Sequence, residues 1–375
     1  MSHALSEMHT TRRPRAYRGL STAGILLLGL LFLGACGPAP AAPAAPPPST
    51  APTAAQASSA TGSGEPAAMT PYTVRWAAIS ANPNNFPIYV AHAKGFLAEH
   101  RLDLELIYTD SSPRATQLLA SRDIDVANVA TDTTIEAVER GAPFVMFGGS
   151  TRIPVYALIT RPEIRTYADL RGKLVAVTGP NLAEQPFLRK LLAKYGLRES
   201  DYEQIAVGGP VQRFAAVQSG AAAASMVLQP LDFRAADEGL NVLGYSTEVL
   251  PDYQFIAYTG HRTWLTENRD VVVRLLRALR QADRWLYDPA NAGEAARIFQ
   301  DAANTREDYA RRTWELLYRD LKVMADDSTV SISGLQAVLD LMAEGGTFSG
   351  PLPSPWKYYD PSFVEEAARA EQAAR

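Results

Sequence analysis

The sequence predicts an α/β protein of two lobes, each a mostly parallel sheet flanked by helices, followed by a helical C-terminal region. Three observations predict it. From residue 72 onward, short apolar or alternating segments take turns with segments of helical spacing, the pattern of parallel strands covered by helices. The pattern restarts near residue 174, where Ser121, Gly141 and Phe144 fall on Ser219, Gly239 and Val242 at a constant offset of 98 residues. An offset held over several elements points to duplication of one lobe. Beyond residue 261 the apolar residues recur only at helical spacing.

The N-terminal region stands apart. A basic stretch ends at Arg18, an apolar run Ile25–Leu33 follows, and Gly34-Ala35-Cys36 closes it. This is the charged, apolar and small-residue order of an export signal over residues 1–35. The apolar run is short of the ~20 residues a spanning helix needs. Leu33-Gly34-Ala35-Cys36 resembles a bacterial lipobox, in which the Cys after the cleavage point is lipidated; the other reading is an uncleaved anchor with an incidental Cys. Residues 37–71 hold nine Pro among Ala, Ser, Thr and Gly. Such a composition cannot bury enough apolar area to offset its ordering entropy, so 36–71 reads as a disordered tether. Together these segments imply export and attachment to a lipid surface.

The folded part then follows in order. Tyr72–Ile79 reads as a strand, Asn85–His100 as a helix and Leu102–Tyr108 as an alternating strand. Ser112–Ser121 is helical, Ile124–Val129 a strand, and Asp132–Arg140 a helix with Thr133 and Glu136 spaced as a capping box. Phe144–Gly148 and Val155–Thr160 complete the first run as strands. In the second run Leu174–Val177, Tyr202–Val207, Ala223–Val227 and Asn241–Leu243 are strands; Glu184–Tyr195, Gln212–Ser219 and Leu231–Glu238 are helices. The C-terminal helices are Arg269–Tyr287, Gly293–Ala303, Asp308–Leu321 and Pro361–Ala374.

Composition excludes several classes. Hydrophobic residues make up 47% and charged residues 20% of the 375, ordinary for a globular chain. Residues 72–375 hold 32 of the 36 Lys and Arg and 38 of the 40 Asp and Glu, a net of −6 without a basic run, which argues against nucleic acid as a partner. One Cys excludes a disulfide framework, a multi-Cys zinc site and an iron–sulfur cluster.

Phe86-Pro87-Ile88-Tyr89-Val90-Ala91-His92-Ala93-Lys94-Gly95-Phe96-Leu97, with Leu102-Asp103-Leu104-Glu105-Leu106 after it, resembles the opening of periplasmic solute-binding proteins of ABC importers. The group in question serves importers of sulfonates, nitrate and thiamine pyrimidine precursors. Tyr167–Val177 resembles that family's entry into its second lobe, and Gln218-Ser219-Gly220 running to Gln229-Pro230 is a third match. Arg101 and Arg122 stand where the family often has Gly, and Ala221–Ala224 replaces a segment that usually carries an Asp, which puts local turn geometry in doubt. The resemblance implies a two-lobed periplasmic-binding-protein-like fold with two crossovers, near Tyr156–Thr160 and Ala257–His261, and a ligand held between the lobes. The expected organisation is 72–157 for the first part of lobe 1, 158–258 for lobe 2 and 259–375 for the return to lobe 1 plus the C-terminal helices.

In open α/β sheets ligands bind beyond the carboxyl ends of the strands, where helix N-termini offer unpaired N–H groups. That rule selects candidates. Asn84, Asn85, Ser111 and Ser112 precede helices and can cap them or meet a ligand. Phe86 can stack on a planar solute or sit in the core. Thr131 and Asp132 open a helix, Thr151 and Arg152 follow a strand, and Thr178, Asn181, Gly209, Arg213 and Gln229 occupy the corresponding loops of the second run. Arg152 and Arg213 are the possible partners of an anion; Gln229 could read a ring edge or serve its turn.

The expected function is a lipid-anchored receptor, monomeric, that binds a small solute and delivers it to an ABC permease, with no cofactor and no metal. The favoured solute is a planar heteroaromatic such as a thiamine pyrimidine precursor; a sulfonate, taurine or nitrate-type oxyanion is the alternative. An enzyme of pyrimidine synthesis on the same fold is the remaining class. It finds little support, because His92 and His100 lie eight residues apart on one helix and no second Cys exists to complete a metal site.

Overall fold

The computed structural model describes residues 69–179, 184–250 and 252–373. The export signal, Cys36, nearly all of the tether and Asn181 lie outside the described residues. In lobe 1, β1 (Tyr72–Ile79) leads through α1 (Phe86–Ala93) and α2 (Phe96–Glu99) to β2 (Leu102–Thr109), α3 (Ser112–Ala120), β3 (Val126–Ala130), α4 (Thr131–Glu139) and β4 (Phe144–Gly149). The chain crosses to β5 (Ala157–Thr160) and continues through β6 (Leu174–Val177), α5 (Gln185–Lys194), β7 (Glu203–Ala206), α6 (Pro210–Gln218), β8 (Ala224–Val227), α7 (Leu231–Asp237) and β9 (Asn241–Tyr245). It returns on β10 (Ile256–His261) and ends in α8 (Arg262–Glu267), α9 (Arg269–Tyr287), α10 (Ala292–Ala303), α11 (Glu307–Trp314), α12 (Ile332–Glu344) and α13 (Ser362–Ala373).

The sheets have orders β2-β1-β3-β10-β4 and β7-β6-β8-β5-β9. In each, the strand that arrives from the other lobe is antiparallel to both its neighbours. The two lobes therefore share one topology, as the sequence offset predicts. The caps repeat as well: Ser121 ends α3 and Ser219 ends α6 with nearly the same dihedrals. Gly141 and Gly239 follow α4 and α7 at φ of 92° and 84°.

Local chemistry sets several boundaries. Gly95 at φ 77° splits the single helix expected over 85–100 into α1 and α2. The Thr133–Glu136 capping box does not form, because α4 starts earlier, at Thr131; the Thr133 amide instead donates to Asp132 Oδ1 at 2.6 Å. Arg101 and Arg122 hold φ of 53° and 66°, so the turns keep the left-handed geometry without Gly. The helix expected over 308–321 is α11 followed by a π-helical turn, Glu315–Asp320. Strand β10 and helices α8 and α12 extend the expected C-terminal pattern.

Trp76, Val74 and Phe147 on one face of the lobe 1 sheet pack under α1, α9 and α10; Ala77, Ala127 and Phe144 on the other face meet Leu119 of α3. In lobe 2, Val175 and Val177 pack on Phe187 and Leu191 of α5, and the same apolar cluster takes in Leu335, Val338 and Leu339 of α12 and Ile135 of α4. Helix α12 thus buries its apolar face against both lobes. The crossovers run side by side: Phe255 N donates to Arg152 O at 2.8 Å, and Tyr156 N donates to Ser246 Oγ at 2.9 Å.

Candidate functional site

The carboxyl ends of β1, β2 and β3 face those of β6, β7 and β8 across a cleft. After β1 the chain turns tightly on Asn82, whose Oδ1 accepts from Asn84 N at 2.9 Å while its Nδ2 donates to Ile79 O at 2.6 Å. Asn85 supports the same turn: its Nδ2 donates to Ser80 O at 3.1 Å, and its Oδ1 accepts from Asn128 Nδ2 at 2.8 Å. Asn84 reaches the cleft, with its Oδ1 held by Thr151 Oγ1 at 2.8 Å. Helices α3 and α6 point their N-termini inward from opposite lobes; neither Ser111 nor Gly209 caps its helix with a side chain, so first-turn amides remain for a ligand.

Between these ends lies a cavity of about 60 Å³, bounded by Asn82, Asn84 and Asp110–Pro113 of lobe 1 and by Tyr156, Thr178, Pro210, Arg213 and Leu228 on the facing side, with Phe255 and Ile256 at its floor. Small-molecule pockets usually span ~300–1,000 Å³, so this cavity takes a solute only where the lobes part. A groove of about 700 Å³ adjoins it and shares Asn82, Pro210 and Leu228. At the groove's rim Tyr309 OH donates to Asp237 Oδ2 at 2.9 Å, and Arg306 and Arg312 each stand 3.7 Å from the same carboxylate. Asp237 of α7 is thereby tied to α11.

Of the residues expected at the site, Asn84, Ser111, Ser112, Thr178 and Arg213 bound the cavity, and Gln229 lines the groove. Gly209 sits at the lobe contact, where a Cβ would stand 3.2 Å from Asp110 O. The others are placed elsewhere. Phe86 is fully buried in lobe 1, stacked on Phe299 at 4.7 Å and edge-on to Tyr318 at 5.4 Å, because α1 turns its first residue under α10 rather than toward the cleft. Asn85 is spent on Ser80 O and Asn128, and Thr131 on backbone, its Oγ1 donating to Gln254 O at 2.6 Å. Asp132 opens onto a separate groove with Glu136, Glu139 and Tyr253, and burial there, aided by Glu136 and Glu184, pushes its carboxyl up to about 6.

Both expected anion partners are already occupied. Arg213 is buried and donates to Met226 O, Gly208 O and Thr178 Oγ1, and Glu184 lies 3.4 Å away as its counter-ion. Glu184 also accepts from Thr178 N at 2.6 Å and Thr178 Oγ1 at 2.8 Å, which ties the end of β6 to the start of α5. Arg152 pairs with Asp326 at 3.1 Å and Asp327 at 3.7 Å. The sequence reading missed Tyr156, Phe255 and Glu184. Tyr156 stacks on Phe187 at 5.8 Å and meets Phe255 edge-on at 5.6 Å, which gives the cavity an aromatic wall. The one signal for it was Tyr156 at the start of the first expected crossover; Phe255 lies two residues before the second, and nothing local links Glu184 to Arg213.

The profile of the NMT1/THI5-like family matches residues 82–292, a stretch that holds most of both sheets and nearly every cavity residue. The chain belongs to this family. Among curated relatives of this NMT1/THI5-like chain, a "putative thiamine biosynthesis protein" of Haemophilus influenzae is 27% identical over 34% of the chain and 40% of that protein. A 4-amino-5-hydroxymethyl-2-methylpyrimidine phosphate synthase of Candida albicans is 22% identical over 56% of the chain and 66% of that protein. The match thus spans less than two thirds of either relative's length. The periplasmic nitrate-binding protein NrtA of Synechocystis superposes with a TM-score of 0.69 at 19% identity, over 80% of this chain and 88% of that one. The NMT1/THI5-like chain therefore has the two-lobed periplasmic-binding-protein fold.

Proposed function

We propose that the protein is an exported solute receptor of an ABC importer, anchored to a membrane by lipid on Cys36 and acting as a monomer. A small solute would enter between the open lobes, and closure by hinge motion at the paired crossovers would hold it for delivery to the permease. The family, the fold and the interlobe cavity support this reading; so does the nitrate-binding role of the Synechocystis neighbour.

The solute we favour is a planar heteroaromatic compound of the thiamine-pyrimidine kind, a class named in the Candida relative. One observation carries this choice: the cavity joins an aromatic wall, Tyr156 and Phe255, to a cation, Arg213, that already has a carboxylate partner. An oxyanion would have to displace Glu184 from Arg213, both 1% exposed, at a large cost in buried charge. The uncapped ends of α3 and α6 favour an anion, which keeps the oxyanion reading in play. The enzyme reading draws on the pyrimidine phosphate synthases among the relatives, the Candida protein and Saccharomyces cerevisiae ones at 23% identity. Among the described residues no group of three or more His, Cys, Asp or Glu is placed to hold a metal, and His92 is exposed on α1 while His100 follows α2.

Native mass spectrometry of the protein purified without added ligand tests the proposal. A releasable adduct with the mass of a ring compound supports it. An adduct with the mass of a sulfonate replaces the favoured solute with the alternative. Conversion of a pyrimidine precursor by the purified protein would move the reading to an enzyme.

A further inference from the structure

Gln229 follows β8 and is 2% exposed. Its Nε2 donates to Val155 O at 3.1 Å and to Asp232 Oδ2 at 3.0 Å. These bonds fix the amide, since turning it over would set Oε1 against two acceptors. Asp232 is itself locked, accepting from Phe233 N at 2.8 Å and Tyr245 OH at 3.3 Å. Gln229 Oε1 is left buried with no donor. A buried acceptor without a partner is costly, and a solute that donates to it once the lobes part would meet that demand. The groove lined by Gln229 has the volume of a small-molecule site. Its charges are paired among themselves: Arg234 with Glu238 at 2.7 Å, and Arg306 with Asp308 at 2.9 Å as well as with Asp237. The unmet demand at this end of the cleft is for a hydrogen-bond donor, not for charge.

We infer that Gln229 is a specificity-determining residue whose Oε1 accepts a hydrogen bond from an N–H or amino group of the solute, so that the receptor selects nitrogen compounds that donate and rejects oxyanions at this position. The inference rests on the cleft being the solute site, and it narrows the solute to amino-substituted rings. Gln229 acts through the orientation that Asp232 and Val155 O impose on it. A site built to bond an N–H group discriminates strongly against an analogue without it, because the buried acceptor is then left unpaired.

The test is calorimetric titration of the full exported protein with 4-amino-2-methylpyrimidine and with 2,4-dimethylpyrimidine, which replaces the amino group by methyl, and with nitrate and taurine. Wild-type protein is expected to prefer the amino compound by at least about tenfold. In Gln229→Met, which fills similar volume without the acceptor, that preference is expected to fall to within about twofold. A role in folding alone would lower both affinities together and leave their ratio. Equal wild-type affinities for the two pyrimidines, or a preference that survives Gln229→Met, overturns the inference and leaves the receptor reading standing. Binding of nitrate or taurine with neither pyrimidine bound also overturns it. If none of the four binds, the receptor reading itself falls, and the inference with it. Wild-type selectivity is read first, so the inference remains falsifiable even where the variant fails to fold.

Discussion

Asp110 and Gly209 meet across the cleft so closely that a Cβ on Gly209 would lie 3.2 Å from the Asp110 carbonyl oxygen. Gly209 has φ of −67°, so the backbone itself tolerates a side chain. The crowding comes from Gln212 Oε1 at 3.0 Å, the end of a flexible side chain that can swing aside, and from the opposite lobe's backbone, which cannot. Gly209→Val is therefore expected to wedge the lobes apart with little loss of lobe stability. Overpacking of this kind costs ~1–3 kcal/mol. If about 1.4 kcal/mol of it opposes closure, apparent affinity falls roughly tenfold. Small-angle scattering should show a larger radius of gyration in solute than for wild type. An unchanged radius and an unchanged Kd would show that this contact does not limit closure.

Arg213 is expected to behave as a structural cation. Its guanidinium is buried, bonded to three oxygens besides Glu184, and holds β8 to Thr178 at the end of β6. Removing one member of a buried pair leaves the other charge uncompensated, at ~3–5 kcal/mol. Arg213→Met should lower the unfolding free energy read from urea titration by that amount, and Glu184→Gln should lower it comparably. An Arg213→Met protein that melts like wild type but fails to bind a sulfonate would return Arg213 to the ligand and revive the oxyanion reading.

Tyr156 stands at the cavity where the sequence offers Phe86 as one choice of aromatic platform. Phe86→Ala removes a ring stacked between Phe299 and Tyr318 and should cost ~3–5 kcal/mol of stability. Its effect on a ring solute should be small once the protein is folded. Tyr156→Ala should weaken such a solute by ~1–3 kcal/mol, taking base–aromatic stacking as a guide. Paired thermal melts and titrations of the two variants separate the roles, and a Phe86→Ala protein of normal stability with lost binding would reverse them.

Asp283 gives a pH dependence of definite sign. It is fully buried in α9, and burial pushes its carboxyl from 3.8 up to about 8, despite the Ser328 Oγ donor at 2.5 Å. The folded state then holds a proton that the unfolded state releases above pH ~4. The contribution of this group is fully present below pH ~4 and is lost as pH rises toward 8. Asp283→Asn keeps an acceptor for Ser328 and removes the ionisation. The variant should gain stability over wild type steadily from pH 4 to pH 8, read as the difference between their urea midpoints. A difference that does not change with pH would place the carboxyl near its ordinary value.

Much of the fold was legible because it rests on local patterns. β6 and α9 match the boundaries read from periodicity, since an apolar run and a 3.6-residue stripe leave no competing choice. The duplication was legible because caps and turns recur at a fixed spacing. Helix α12 was not read: its apolar residues are shared between α4 and lobe 2, so no neighbouring segment in the sequence announces its partners. The site was legible at the level of loops, because strand ends are fixed by topology. Which side chains enter the cavity was not, because Phe86 is withdrawn by Phe299 and Arg213 is claimed by Glu184, each from far along the chain.

Arg122 offers a last test, one that joins the duplication to energetics. It occupies the turn after α3 at φ 66°, and its counterpart 98 residues on is Gly220 at φ 82° after α6. The same left-handed turn is thus met once by Arg and once by Gly. A side chain in this conformation costs ~1–2 kcal/mol, of which the greater freedom of an unfolded glycine offsets about half. Arg122→Gly should therefore raise stability by ~0.5–1 kcal/mol, while its carbonyl goes on accepting from Arg75 Nη1 at 2.8 Å. Gly220→Arg should lower stability by a similar amount, and the double variant should return close to wild type, since the turns lie in different lobes and share no partners. Destabilisation by Arg122→Gly would mean that the Arg122 side chain stabilises lobe 1 by more than its backbone strain costs.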